Sequence, residues 1–137
     1  MRIRFRHAFA GIVAVLIFQA FAIACHLYNR QPNLDIPMHF AGGFVTALLA
    51  IAIQHEFKKV HRIKHVTWWH ELLFVIGFVA LVAVGWEFFE FLVDSFWQRQ
   101  LGFVSQISIQ DTMGDLAMGL IGGGVAHVLF RPGLDQA

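Results

Sequence analysis

Charge is what this chain has least of. Only 14% of its 137 residues are charged and 58% are hydrophobic, too little polar surface to keep a soluble domain of this size in water. With 3 prolines and no low-complexity tract, no stretch reads as a linker, so residues 1–137 form one domain. The single Cys25 excludes an intramolecular disulfide. No internal repeat supports an inverted-repeat transporter. Phosphate loops, HExxH stretches and nucleophilic Ser motifs are missing too, which removes sequence support for zincin-type and covalent mechanisms. The net charge of +1 is uninformative as a total, its distribution being what counts, and no nucleic-acid partner is expected.

What the chain has instead is long apolar runs. Four of them, roughly Ala8–Tyr28, Ile36–Glu56, Glu71–Val93 and Thr112–Phe130, reach spanning length. At 1.5 Å per helical residue each crosses about 30 Å of hydrocarbon. The expected fold class is an all-α integral membrane protein, a compact bundle of four transmembrane helices. The fourth run is diluted by five glycines and Asp115 and needs neighbouring helices to shield it. Ala22-Ile-Ala-Cys25 faintly resembles a lipoprotein cleavage box, but its apolar run exceeds a usual signal core and reads as a retained first span.

The basic residues orient the bundle. With the N-terminus inside, Arg2, Arg4, Arg6, Lys58, Lys59, Arg62, Lys64 and Arg131 fall on the cytoplasmic side and only Arg30 and Arg99 outside. That bias puts both termini in the cytoplasm. The connection from Phe57 to His70 has Phe57, Val60 and Ile63 at threefold spacing among basic residues, as in an amphipathic anchor on the inner leaflet. Glycines at 42–43, 77, 85, 114, 119 and 122–124 permit close helix packing, with Gly119 and Gly123 as a small-xxx-small pair.

Against this apolar ground, acidic and histidine side chains gather at the outer side. Asp35 and His39 lie at i, i+4 where the second span begins. Glu87 and Glu90 lie at i, i+3 near the end of the third, with Asp94 farther along the same stripe, and Asp111 and Asp115 lie at i, i+4 where the fourth begins. His26 ends the first span, with Gln19 two turns deeper. A carboxylate at the centre of a spanning helix costs about 2.5–3.5 kcal/mol on the insertion scale, less near the ends. Asp35 and Asp111 can be explained as helix N-caps, Asp94 as a solvated interfacial group and His26 as an interfacial histidine. Glu87, Glu90 and Asp115 lie deeper and require partners. Either a divalent cation balances them, or some keep their protons because close like charges cannot all ionise. Asp35, His39, Glu87, Glu90, Asp111 and Asp115 form the expected ligand set. Oxygen donors suit Mg²⁺, Mn²⁺ or Ca²⁺, and His39 adds Zn²⁺ or iron. The segment Ser95–Gln110, which mixes aromatic and polar residues, reads as an outer loop able to fold over this site.

Three stretches carry a family likeness: Asp35-Ile-Pro-Met-His39-Phe-Ala-Gly-Gly43-Phe-Val-Thr-Ala47-Leu, Trp86-Glu87-Phe-Phe-Glu90 and Asp111-Thr112-Met-Gly-Asp115. Their order resembles the YjdF-like bacterial membrane proteins and, more distantly, the VanZ-like family. The resemblance implies a multi-pass protein of the bacterial cytoplasmic (inner) membrane with clustered acidic residues. The VanZ-like likeness suggests envelope or lipid-linked chemistry by analogy.

Three functions stay open at this level. The first is a metal-dependent hydrolase or transferase on a membrane lipid or lipid-linked substrate, with Glu87, Glu90 and Asp115 in acid–base roles. The second is a cation or proton carrier using the same carboxylates, alone or as an oligomer. The third is a structural or accessory protein whose carboxylates fix helix register.

Overall fold

A chain segment surrounded by hydrocarbon must satisfy its backbone internally, and each long apolar run does so as a helix. The computed structural model describes residues 4–63, 65–101 and 108–130. These form α1 (Phe5–Ala24), a short α2 (Leu27–Arg30), a 3-10 turn (Pro32–Leu34), α3 (Asp35–Val60), α4 (Trp68–Leu101) and α5 (Ile109–Phe130). Among the described residues there is no strand, and α1, α3, α4 and α5 are long and apolar enough to cross a membrane. Their outward faces remain apolar, with Leu73, Leu81, Phe88 and Val128 among the most exposed side chains, as expected of surfaces that meet lipid.

The helix ends differ from the apolar runs in instructive ways. α1 begins three residues before Ala8 and stops at Ala24, although apolar residues continue to Tyr28. His26 takes a left-handed conformation (φ 53°), which ends the helix and turns the chain into α2. α3 runs on through Val60, so Phe57 and Val60 belong to its last turn and not to a separate interfacial helix. Its end is a Schellman arrangement: Ile63 N–H donates to the Lys58 carbonyl at 3.0 Å and Arg62 N–H to that of Lys59 at 3.4 Å, with Arg62 left-handed (φ 53°). α4 continues to Leu101, so the first part of the expected outer loop is helical. Residues 102–107 of that loop lie outside the described residues, as do Arg2, Lys64 and Arg131 and the side chain of Arg99.

α3 is the central helix, packing against α1, α4 and α5, and its contact with α5 is the most extensive. His39 faces Asp115 and Gly43 faces Gly119, so α3 and α5 run parallel. Lys58 at the end of α3 pairs with Glu71 at the start of α4, which makes α4 antiparallel to both. Only some of the glycines create the close approach. A Cβ on Gly43 would collide with the Gly119 carbonyl and one on Gly122 with the Phe40 carbonyl, while one on Gly123 would meet Val79 Cγ2 at 2.9 Å. At Gly42, Gly77, Gly85, Gly114 and Gly124 nothing among the described residues lies within 4 Å of an added Cβ, so these do not serve backbone contact there.

This division is testable. Gly43→Ala and Gly122→Ala force two backbones apart and are expected to cost about 2 kcal/mol or more, the upper range of overpacking penalties. Gly124→Ala fills open space and is expected to stay within about 1 kcal/mol of the parent, or to stabilise through helix propensity. Unfolding of purified protein in detergent measures both, and equal effects at Gly43 and Gly124 would contradict the packing described.

Candidate functional site

The site is built from helix beginnings and one helix end. The 3-10 turn delivers the chain into α3, whose first residue is Asp35 and whose residue one turn on is His39. α5 is capped by Ser108, whose Oγ accepts the Asp111 N–H at 3.1 Å. Ser108, not Asp111, is therefore the cap, and Asp111 sits inside the first turn where a negative charge complements the helix dipole. Asp35 likewise occupies the first turn of α3 and does not cap it. α4 brings Glu87 and Glu90 to the same height from the opposite direction.

The side chains converge on the His39 ring. Its Nε2 lies 3.3 Å from Asp35 Oδ1 and 3.9 Å from Asp115 Oδ1, while its Nδ1 lies 3.9 Å from Glu87 Oε1. Trp86 donates its indole N–H to Glu90 Oε1 at 2.8 Å, fixing that carboxylate from one turn away on α4. Glu87, Glu90 and Asp115 are 6%, 7% and 5% exposed, too deep to be interfacial groups in water. One donor atom each from Asp35, His39 and Asp115 lies within 4.8 Å of the others, and the same holds for His39, Glu87 and Glu90. Each set could hold a metal ion. Both use the same imidazole, and a neutral imidazole has a single acceptor nitrogen, so the sets are alternatives.

A cavity of about 240 Å³ opens beside this cluster, bounded mainly by α1, α3 and α4, with Gly119 of α5 at its floor. Gln19, Asp35, His39 and Trp86 form its polar end, and Leu49 and Phe78 lie at its apolar end. Gln19 accepts a hydrogen bond from the Tyr28 hydroxyl, which ties α2 back to α1. Tyr28 is half-buried, and this burial, reinforced by the negative charge of Asp35, pushes its hydroxyl from the usual 10.0 up to about 12.

Five of the six residues expected as ligands, Asp35, His39, Glu87, Glu90 and Asp115, are thus brought together. Asp111 is half-buried one turn from Asp115 and belongs to neither donor set. Asp94 and His26 also fall outside both sets, His26 being exposed at its turn. Tyr28 and Trp86 were not anticipated as parts of the site. Trp86 could have been found, since it stands at i, i+4 to Glu90. The Tyr28–Gln19 contact depends on the chain reversal at His26 and has no periodic signal.

A family model described as "Predicted membrane protein (DUF2238)" matches residues 1–135 of the chain. The protein belongs to the DUF2238 family. This is the YjdF-like group that the three acidic stretches resemble. No curated protein and no solved structure matches this DUF2238 member.

Tyr28 offers a direct probe of the packing around Gln19 and Asp35, being the only tyrosine. Alkaline titration of tyrosinate absorbance in the detergent-solubilised protein is expected to show a midpoint near 12. Because the folded value lies above the unfolded one, the stability Tyr28 contributes is intact below pH 10.0 and lost as pH rises through about 12. Asp35→Asn removes a raising charge and should move the midpoint down. An unshifted midpoint near 10.0 in the folded parent protein would refute the burial of this hydroxyl.

Proposed function

We propose that this protein binds one divalent cation through Asp35, His39 and Asp115, and uses it on a lipid or lipid-linked ester or phosphoester at the outer leaflet. The observation that carries the reading is the His39 ring, with two carboxylates at one nitrogen and a third carboxylate at the other. Metal-binding histidines characteristically give their second nitrogen to a carboxylate, which sets tautomer and ring orientation. Glu87 occupies that place. Three protein donors leave coordination positions for water and substrate, the arrangement of catalytic rather than structural sites. Such an ion supplies Lewis acidity toward an ester or phosphoester oxygen. Glu90, steadied by Trp86, is left to act as proton acceptor, and Glu87 holds the imidazole. Mg²⁺, Mn²⁺ or Ca²⁺ fits the oxygen-rich set, and Zn²⁺ fits its histidine.

Passage of ions is a weaker reading of the same carboxylates. Between His39 and His55 on α3, Glu71 and Glu87 on α4, and Asp115 and His127 on α5, the sequence has no ionisable side chain. At 1.5 Å per residue that leaves about 18 Å of bundle without a relay group. The basic residues Arg4, Arg6, Lys58, Lys59 and Arg62 gather at the end opposite the site, which supports an outer position for it and cytoplasmic termini.

Elemental analysis after purification and reconstitution tests the proposal. One equivalent of a divalent metal is expected in the parent protein and none in His39→Ala or Asp115→Asn. Glu87→Gln, which leaves the three donors in place, should weaken binding by about 10–100-fold. Parent protein that takes up none of Mg²⁺, Mn²⁺, Ca²⁺ or Zn²⁺ would end the metal reading.

A further inference from the structure

The cavity beside His39 is not explained by metal binding, and its shape carries information about the substrate. α1 packs on α3, and α4 packs on α3 and α5, but among the described residues α1 and α4 make no comparable contact with each other. A slot is left between them. Val15 and Leu16 of α1 and Phe78 and Val82 of α4 form its walls, and Gly42 of α3 forms part of its floor. Polar atoms are concentrated at the end that holds Asp35 and His39. Thr46, midway down, is able to satisfy its hydroxyl on the carbonyl one turn earlier.

We infer that this slot seats one aliphatic chain of a membrane lipid, with the lipid's head group held at the Asp35–His39–Asp115 end. The inference rests on the metal reading for what happens at the head group, and on the slot alone for the chain. Three observations support it. From His39 to Leu49 the slot follows α3 for ten residues, which is about 15 Å and half of a hydrocarbon core of about 30 Å. That is the depth of one leaflet, so a chain that fills the slot leaves its head at the height of the site. The lining is almost wholly apolar, and apolar cavities stay dry. An unfilled slot would forfeit dispersion contacts along its whole length, whereas a hydrocarbon chain entering from the side restores them. Finally, the absence of a side chain at Gly42 keeps the floor open without any helix needing the space, since an added Cβ meets nothing within 4 Å.

Gly42 therefore supplies the test. Its replacement by leucine grows into the slot and not into a neighbouring helix, and it leaves every donor to the metal in place. The full-length protein is reconstituted in liposomes containing phosphatidylglycerol with a diazirine midway along one acyl chain, then irradiated and mapped by mass spectrometry. Leu81 and Phe88, on outward faces of α4 and 71% and 65% exposed, report ordinary contact with bilayer lipid. Adducts at Val15, Phe78 and Val82 are expected to exceed those at Leu81 and Phe88 in the parent protein. In Gly42→Leu the slot adducts should fall at least about fivefold, the low end of what overpacking a filled site costs, with the outward adducts unchanged. Slot labelling no greater than that of Leu81 and Phe88 in the parent overturns the inference, whether or not the variant folds. Crosslinks between two copies in place of lipid adducts overturn it as well, by assigning the slot to a second chain. Metal content measured on the same preparations separates the two proposals. Slot labelling without bound metal overturns the cation and supports the chain, whereas bound metal without slot labelling overturns the chain alone.

Discussion

The contact between α3 and α5 governs everything else in this protein. In hydrocarbon there is no hydrophobic gain from bringing two helices together, so association depends on how closely their backbones pack and on the polar groups they share. Gly43, Gly119 and Gly122 remove the side chains that would keep the two helices apart, and carbonyls of one helix lie over glycines of the other. The same register, read one turn nearer the helix starts, sets His39 opposite Asp115. Close packing and the polar cluster are thus one arrangement seen at two heights. The cluster adds directional contacts that fix rotation about each helix axis, and the glycines supply the proximity those contacts need.

α3 is then committed on three sides, and this has a structural consequence. α5 occupies the glycine face, α4 reaches both ends through Glu71 and Glu87, and α1 covers part of what is left. Because α5 approaches so closely, α4 is drawn toward it, as the contact of Val79 with Gly123 shows. The space between α4 and α1 is what remains. A bundle of four evenly spaced helices would have no such slot; one tight pair within the bundle produces it. Asp35 and His39 line the slot and belong to the donor cluster, and Trp86 lines the slot and holds Glu90, so the two features form one continuous space with a polar head and an apolar body.

Much of this was legible in the sequence because it depends on period and composition. The four spans follow from apolar length, and the pairs Asp35–His39, Glu87–Glu90 and Asp111–Asp115 follow from helical spacing; two of these three pairs contribute both members to the donor sets. Asp111 does not: it shares a helix face with Asp115 but sits one turn, about 6 Å, nearer the start of α5, and the donor sets lie at the height of Asp115. The end of α1 was hidden too. Hydropathy continues through Leu27 and Tyr28, and only the backbone conformation at His26 breaks the helix. Nor could the glycines be sorted by sequence. Gly42 and Gly43 are neighbours, yet one faces an open slot and the other a carbonyl, since successive residues on a helix point about 100° apart and only the partner's position decides between them.

The slot also bears on how the proposed lipid site would choose its substrate. A lipid chain that leaves the bilayer for an apolar slot exchanges one hydrocarbon environment for another, so the transfer itself contributes little affinity. Packing along the walls can hold the chain in place without distinguishing one lipid from another of similar length. On the proposed reading, discrimination would therefore arise at the polar end, where Asp35, His39 and Asp115 would meet whatever the chain carries. The chain's contribution would be positional: a leaflet-deep slot would set the distance between chain and head group and so present the head-group linkage to the donors at a defined height. On this view the apolar wall and the buried carboxylates have separate tasks, one limiting where a lipid can sit and the other determining which lipid has reason to stay.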